Sequence, residues 1–258
     1  MYRIVFRDII FYSNLKIVSK RHKLILFHGL GCDAREFLSI FKNKAFKFQI
    51  LIPVIPGHSN TSLSFQNDPL LDFARTINLF LKKKRIFNFT IYAHSMGNII
   101  AILLIRNFYR KKCELLINNE GNLLKSDAGI VTRKTISYKQ EFFSKIGYEK
   151  LIKKCKDSDV KPTIQWAKSL ERITATNFYN YCKFVVYWSE KNSLLGWANS
   201  LFKKKVYLSG EYSKNDNVYY KIKGYKKILL SKIGHFPHYE NKNDLVRIIY
   251  NEIKNRKK

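Results

Sequence analysis

The sequence predicts an α/β fold in which a mostly parallel central sheet has helices on both faces and a helical cap is inserted between two late strands. Short apolar runs rich in β-branched and aromatic residues recur along the chain, and stretches with helical periodicity separate them. This alternation stops near residue 121 and resumes near residue 204. With 258 residues and a hydrophobic fraction of 46%, the chain is expected to form one globular domain with an insertion.

The strands are predicted at the buried apolar runs. The N-terminal segments 3–6 and 9–12 are expected to form an antiparallel edge, and the parallel strands follow at residues 24–27, 48–54, 89–93, 115–118, 206–208 and 227–230. Amphipathic patterns predict helices over 68–83, 97–109 and 243–254. Alternation of strands and helices is typical of a parallel sheet covered on both sides.

The segment between the two late strands is predicted to be a helical cap. Residues 1–120 and 204–258 would form the core, and residues 121–203 the cap or lid. Three aromatic-rich helical patterns lie in this segment, over 141–154, 164–172 and 175–188, and no convincing strand pattern accompanies them. We expect the cap to lie over a site on the core.

A serine on a predicted strand-to-helix turn is the sharpest chemical signal. It lies in Ala93-His94-Ser95-Met96-Gly97. A nucleophile on such a turn needs small residues two positions before and after it, and Ala93 stands where glycine is usual. Ser95 would project at the carboxyl edge of the sheet, near the positive end of the following helix. The alternative is a serine that only caps the helix.

A second motif, His28-Gly29-Leu30-Gly31, follows the apolar strand at 24–27. Glycines such as Gly29 let the backbone turn so that an amide faces the nucleophile. The N–H groups of Leu30 and Met96 would together form an oxyanion hole. A plain strand-to-loop turn would also favour glycine, but it would not need His28.

A histidine beyond the last predicted strand is the candidate general base. His235 directly follows Gly234 near the strand end, where it could take the proton of Ser95 and later give it to the leaving group. His238 is the competitor, and we favour His235 because it lies nearer the strand. His58, in a Pro-Gly-His-Ser turn, is interpreted as a structural residue.

Taken together, these motifs resemble those of the α/β-hydrolase superfamily. His-Gly-x-Gly, Pro-Gly-His-Ser, x-His-Ser-Met-Gly and Gly-His-Phe-Pro occur in family order, and the similarity covers about residues 20–120 and 200–255. The resemblance implies a serine hydrolase that forms an acyl-enzyme on Ser95 and needs no cofactor and no metal. A serine at this position argues against dehalogenase and epoxide hydrolase relatives, which use aspartate there.

The acid of the triad departs from the family pattern. Relatives usually place an aspartate in Gly-x-x-Asp after the next-to-last strand, but that position here holds Ser213. A carboxylate is still needed to hold the imidazole in one tautomer. Glu120, at the carboxyl end of the strand after the nucleophile helix, is ranked first, and Asp216 is the alternative. Glu211 would point along the strand end.

The substrate is predicted only as an acyl ester or thioester. The size and the motifs of this chain are similar to those of the pimeloyl-acyl-carrier-protein methyl ester esterases of biotin synthesis. The substrate of these enzymes is attached to a very acidic carrier protein. A basic cap face could bind such a carrier through Lys125, Arg133, Lys134, Lys139, Lys145, Lys153 and Lys154. A lipid esterase or lysophospholipase that touches anionic membrane is the alternative, and a non-catalytic binding protein on a degenerate hydrolase scaffold is the rival from another class.

The formal net charge of +29 allows two interpretations. It could attract an acidic partner, or it could reflect the lysine enrichment of an AT-rich genome, because lysines are spread over the whole length. Nucleic acid is the weakest candidate partner, since no recognition module accompanies the charge. The four cysteines lie far apart and the N-terminus shows no secretory signal, so we expect a cytoplasmic protein with reduced thiols.

Overall fold

Eight strands form a single sheet in a computed structural model of the chain, which describes residues 1–16, 20–38, 47–62, 67–108, 113–213 and 216–256. The strands are β1 Tyr2–Phe6, β2 Ile9–Ser13, β3 Lys23–Phe27, β4 Gln49–Pro53, β5 Phe89–His94, β6 Cys113–Asn119, β7 Lys205–Gly210 and β8 Lys226–Leu230. Each lies within two residues of a run predicted from the sequence.

The sheet is mostly parallel, as predicted. Its order is β1-β2-β4-β3-β5-β6-β7-β8, in which β2 runs antiparallel to β1 and β4 and the remaining neighbours are parallel. Strands β3, β4 and β5 are buried at every residue, which explains their continuous apolar runs. β5 lies between β3 and β6 and runs parallel to both, so the carboxyl ends of these three strands lie side by side at one edge of the sheet.

Side chains of the central strands alternate between two hydrophobic clusters, one on each face of the sheet. Ile25 and Phe27 pack with helices α1 (Pro69–Lys83) and α2 (Gly97–Asn107), whereas Leu24 and Leu26 pack with α11 (Lys242–Asn255). Helices thus cover both faces, which is the layer arrangement predicted. Asp68 caps α1 by accepting hydrogen bonds from the N–H groups of Leu70 and Leu71.

Residues 120–204, between β6 and β7, form helices and turns without a strand. The helices are α3 Gly129–Ser137, α4 Gln140–Phe142, α5 Tyr148–Lys156, α6 Lys161–Leu170, α7 Ala175–Glu190 and α8 Leu194–Leu201, and a π-helical turn, Phe143–Gly147, joins α4 to α5. We call this segment the cap. Its buried aromatic residues include Phe143, Phe178 and Tyr181, so aromatic side chains form its own core.

Two short helices complete the chain, α9 Asp216–Lys221 and α10 Pro237–Glu240. Among the described residues, no helix combines the length and the apolar character that a membrane span requires.

Candidate active site

The predicted nucleophile lies at a strained turn between β5 and α2. Ser95 has a φ of +52°, an unusual value for a residue with a side chain. From residue 89 to residue 105 every residue is buried except Ser95. The backbone N–H of Ser95 donates to the carbonyl of Asn119 on β6, 3.0 Å away, which fixes the turn against the neighbouring strand. The hydroxyl is therefore presented at the carboxyl edge of the sheet.

Close packing explains the two glycines around this serine. A Cβ at Gly97 would lie 2.6 Å from the carbonyl oxygen of Phe27 and 2.9 Å from that of His28. A Cβ at Gly29 would lie 2.8 Å from Nδ1 of His94 and 3.1 Å from Cβ of Ser95. The turn after β3 and the turn after β5 thus approach each other too closely for side chains at either glycine.

We expect Gly97→Ala to lower the free energy of unfolding by about 1 to 3 kcal/mol, because the methyl group would lie 2.6 and 2.9 Å from two backbone carbonyl oxygens. Gly196→Ala is the matched control, since Gly196 also lies within a helix but its Cβ would meet nothing within 4 Å. That change should be neutral or stabilise by up to about 1 kcal/mol. Urea unfolding of both variants measures the difference, and equal effects would contradict this description of the turn.

Two backbone amides lie in the turns that follow β3 and β5. No acceptor among the described residues takes the N–H of Leu30 or of Met96. The loop that carries Leu30 is held in place by two buried histidines. Nε2 of His58 accepts the N–H of Gly31 at 3.2 Å, and Nε2 of His28 accepts the N–H of Ile55 at 3.2 Å. His58 thus has the structural role predicted for it.

His235 and Glu120 form a hydrogen-bonded pair. Nδ1 of His235 lies 2.6 Å from Oε2 of Glu120, and the two side chains are 35% and 9% exposed. Glu120 directly follows β6, has a φ of +43°, and donates its N–H to the carbonyl of Leu208 on β7 at 3.0 Å. The strained backbone turns its side chain toward the loop after β8, where His235 lies.

The second carboxylate oxygen of Glu120 is held by the last two residues of β7 and by Ser213, which follows that strand. Oε1 accepts the Gly210 N–H at 2.7 Å and the Ser209 hydroxyl at 3.2 Å, and it also accepts the hydroxyl of Ser213. Burial alone would raise the pKa of Glu120, but the hydrogen bonds from His235, Ser213 and Gly210 outweigh burial and lower it. The group is therefore a carboxylate at neutral pH.

His94 connects Ser95 to the loop that carries His235. Nε2 of His94 lies 2.9 Å from the carbonyl oxygen of His235, and the two rings are 4.8 Å apart. Burial lowers the pKa of His94 well below its ordinary value, so the ring is neutral and donates from Nε2. Ser95 Oγ makes no hydrogen bond within the described part of the chain.

Asp216 and Glu211 were the other carboxylates considered from the sequence. Asp216 is the first residue of α9, and its side chain lies outside the described residues. Glu211 accepts hydrogen bonds from the Ser231 hydroxyl at 2.9 Å and the Lys232 N–H at 2.7 Å. The sequence analysis does not predict that Ser209 and Ser213 bind Glu120. The signal available for Ser213 is that it occupies the position where relatives usually have the aspartate.

Side chains of the cap bind the loops around the site. Trp166 Nε1 donates to the carbonyl of Leu30 at 3.0 Å, and the hydroxyl of Tyr181 donates to the carbonyl of Pro56 at 2.7 Å. The Trp166 ring also lies 6.0 Å from that of Phe236, the neighbour of His235. The cap is thus packed directly over the edge of the sheet where Ser95 projects.

One group of potential metal ligands occurs among the described residues. Cys32 Sγ, a Glu36 carboxylate oxygen and a ring nitrogen of His238 all lie within 4.8 Å of one another. Burial raises the pKa of Cys32 well above its ordinary value, so it is a thiol at neutral pH, and Glu36 already accepts the Asp33 N–H at 3.0 Å. We therefore assign no metal to this group.

Comparison with solved structures identifies the fold. MenH from S. aureus superposes with a TM-score of 0.78 at 16% identity, covering 98% of this chain and all of that one. A carboxylesterase of the thaumarchaeon Nitrososphaera gargenis gives 0.75 at 14% identity, covering 99% and 98%. The chain has the α/β-hydrolase fold. The sequence motifs predicted this fold, and at these identities the similarity concerns the fold alone.

Within the α/β-hydrolase fold, sequence similarity to known proteins is local. A Mycoplasma pneumoniae protein named "Putative esterase/lipase 2" is 33% identical over 89 residues, which is 33% of this chain and 32% of that protein. The chain thus matches about a third of the length of this curated relative. No protein-family model matches the sequence.

Buried histidines make the stability of this α/β-hydrolase fold depend on pH. Burial lowers the pKa of four histidines, to about 4 for His28 and well below the ordinary value of 6.5 for His58, His94 and His238. A histidine whose pKa is lower in the folded state stabilises the protein fully above pH 6.5, and this contribution is lost as the pH falls, because the unfolded chain then binds more protons.

We expect the free energy of unfolding to fall by about 2 to 3 kcal/mol per pH unit near pH 5.5. Two buried carboxyls partly oppose the histidines, since burial raises the pKa of Glu36 to about 7 and that of Asp127 to about 6. Urea unfolding between about pH 7 and pH 5 measures the slope. His58→Gln should reduce it by up to about 1.4 kcal/mol per unit, and a flat profile would contradict neutral burial of these rings.

Proposed function

We propose that this protein is a serine hydrolase that cleaves carboxylic esters or thioesters through an acyl-enzyme on Ser95. One observation carries the proposal: His235 pairs with Glu120, and its carbonyl is hydrogen-bonded to His94, the residue before a strained, partly exposed serine at the end of a central strand. An imidazole held by a buried carboxylate is suited to remove a proton from a serine hydroxyl. The local similarity to a protein named as an esterase/lipase supports the same chemistry.

In the proposed reaction, Ser95 Oγ attacks the substrate carbonyl carbon while His235 Nε2 takes its proton. The N–H groups of Leu30 and Met96 stabilise the negative charge on the carbonyl oxygen, a role consistent with their having no acceptor among the described residues. His235 then donates the proton to the leaving alcohol or thiol, and water activated by the same ring releases the acid. The hydrogen bond between Ser95 and His235 would form when the substrate is bound.

Glu120 is the proposed triad acid. Its Oε2 fixes the proton of His235 on Nδ1, so that Nε2 is free to accept the proton of Ser95, and the carboxylate stabilises the imidazolium that forms. Asp216 remains the alternative acid.

For the substrate we propose an ester with an apolar acyl group, because the ring of Trp166 is bonded to the Leu30 loop and packs near Phe236, the neighbour of His235. An acyl group on an acidic carrier protein, such as a pimeloyl methyl ester, is one form of it. Of the seven basic cap residues predicted to bind a carrier, Lys125 and Arg133 pair with Glu190, and Lys145 pairs with Glu141. The described residues offer no such partner to Lys134, Lys139, Lys153 or Lys154, which leaves them available to an acidic partner.

The carrier and the lipid alternatives predict different kinetics. An esterase of carrier-bound acyl groups should hydrolyse a methyl pimeloyl carrier substrate faster than the free ester, and equal rates would contradict it. A lipid esterase should prefer micellar to monomeric substrate. We also propose a cytoplasmic location, which the four free cysteines support.

Labelling with a fluorophosphonate probe tests the proposed nucleophile. We expect an adduct on Ser95 in the purified protein, located by mass spectrometry, and no adduct in Ser95→Ala. A folded protein that is not labelled, under conditions that label a known serine esterase, would contradict the proposal and favour a binding protein on the same scaffold. Ester hydrolysis measured on the same samples separates labelling from turnover.

A further inference from the structure

A basic cavity lies at the junction of the cap and the core, beside the proposed active site and separate from it. Its volume is about 400 Å³. Helix α6 of the cap supplies Lys168 and Ser169 and the turn after it supplies Arg172, whereas the core supplies Arg35 from the loop after β3 and Lys242 from the start of α11. We call it the junction cavity. None of the motifs that predicted the active site includes these residues.

The cations of this cavity exceed the carboxylates that could balance them. Arg35 and Arg172 share one partner, Asp33, at 2.5 and 2.8 Å. Within the described ranges, neither Lys168 nor Lys242 has a carboxylate at ion-pair distance, and both side chains are exposed. Like charges gathered around one cavity repel each other, and an anion bound between them would remove that cost.

Hydroxyl groups line the floor of the cavity. Ser169 is buried and donates to Glu36, and its oxygen lies 3.4 Å from the hydroxyl of Tyr239. Glu36 is the acidic residue in the lining, and burial raises its pKa to about 7. The hydroxyl protons of Ser169 and Tyr239 are directed to Glu36, and the raised pKa of Glu36 makes it oppose an anion less than an ordinary carboxylate would.

We propose that the junction cavity binds a phosphate group. Two guanidinium groups and two ammonium groups match an anion with several acceptor oxygens and up to two charges better than they match a carboxylate. The source is either free inorganic phosphate or a phosphate carried on a larger molecule. This inference does not depend on the proposed hydrolase activity.

Binding would join the cap to the core, because Lys168 and Arg172 belong to the cap and Arg35 and Lys242 to the core. The cavity is also close to the proposed base. The Tyr239 ring in its lining lies 5.6 Å from that of Phe236, which lies 5.0 Å from His235. A phosphate carried on a substrate would thus be bound next to the acyl site rather than within it.

Calorimetric titration of Ser95→Ala protein with inorganic phosphate tests the site without any catalysis. Because Lys168 and Lys242 are both exposed, K168Q/K242Q should fold normally, and we expect it to weaken binding about tenfold. The matched control is K153Q/K154Q, which removes the same charge from exposed lysines of α5 in a different surface groove of the cap. The control should bind phosphate within about twofold of the parent protein.

Three outcomes would overturn the proposal. The first is an equal affinity in K168Q/K242Q and K153Q/K154Q, the second is full reproduction of the heat signal by chloride at the same ionic strength, and the third is acetate binding as tightly as phosphate. Phosphate should also raise the thermal unfolding temperature of K153Q/K154Q, and it should not raise that of K168Q/K242Q. K168R/K242R, which keeps both charges, should retain binding.

Kinetic measurements distinguish the two sources of phosphate. They use protein that retains Ser95, with and without the K168Q/K242Q substitutions. If the phosphate is carried on the substrate, K168Q/K242Q should raise KM about tenfold for a butanoyl ester of glycerol phosphate and leave KM for 4-nitrophenyl butanoate unchanged. If free phosphate is the ligand, K168Q/K242Q should change the KM values for the two esters by the same factor. The titration should still show that this variant no longer binds phosphate. The titration decides whether the site exists, and this comparison decides what occupies it.

Discussion

Replacing Glu120 with glutamine is expected to lower kcat for ester hydrolysis by about 10⁴-fold. The amide oxygen would still accept the hydrogen bonds of Ser209, Ser213 and Gly210, because these three donors reach Oε1. The amide nitrogen would then face His235 Nδ1 in place of Oε2. That contact favours the tautomer protonated on Nε2, which no longer accepts the proton of Ser95.

The structure offers a specific rescue of this variant. Ser213 occupies the position at which α/β-hydrolases usually carry the acid, and its hydroxyl contacts the carboxylate of Glu120. An aspartate at position 213 would place a new carboxylate close to the position that the Glu120 carboxylate occupies in the parent protein. We expect E120Q/S213D to recover at least about tenfold in kcat over E120Q, whereas S213A alone should cost only a few-fold, because Gly210 and His235 still hold Glu120.

Steady-state kinetics with a 4-nitrophenyl ester measure these rates, and circular dichroism shows that each variant is folded. A near-normal kcat in E120Q would exclude Glu120 as the acid and direct the same measurement to D216N. If E120Q is inactive and E120Q/S213D gains nothing, Glu120 is still required, but the two carboxylate positions are not equivalent.

The positions of Ser95 and His235 could be predicted because the signals for them are local. A small residue two positions before the serine and a glycine two positions after it reflect the tight turn, in which Gly97 lies against the carbonyl of Phe27. The strands were predicted within two residues because buried parallel strands read as apolar runs. Features that depend on residues close together along the chain can thus be predicted from the sequence.

The surroundings of Glu120 could be predicted only in part, because they depend on strand register. Asn119 pairs with Leu208, so Glu120 comes to lie beside Ser209 and Gly210, far from it along the chain. The sequence indicated a vacant aspartate position, but it could not show that Ser213 donates a hydrogen bond to Glu120. The same reason applies to the junction cavity, whose lysines and arginines come from three distant segments.

Two helices of the cap were missed because their composition opposes helix formation. In α3, Gly129 and two threonines lower the intrinsic propensity, and in α8 Gly196 interrupts the pattern. Packing against other helices outweighs these local preferences. α3 packs on α7, and α8 packs on α2 of the core.

His235→Gln is expected to lower kcat by at least about 10⁵-fold, because no other group would then take the proton of Ser95. His238→Gln is the matched comparison, three residues away. His238 is fully buried, its ring stacks on Phe37 at 4.4 Å, and neither ring nitrogen has a hydrogen-bond partner among the described residues. Burial lowers its pKa well below the ordinary value.

A ring that is enclosed in this way has no path to the substrate, so kcat in His238→Gln should stay within about tenfold of the parent protein. Its effect should instead appear in stability, as a shallower loss of unfolding free energy on acidification, because one fewer buried histidine is charged when the chain unfolds. Fluorophosphonate labelling rates should follow kcat in both variants. If H238Q abolished labelling and H235Q did not, the base would be His238, and the pairing of His235 with Glu120 would be only structural.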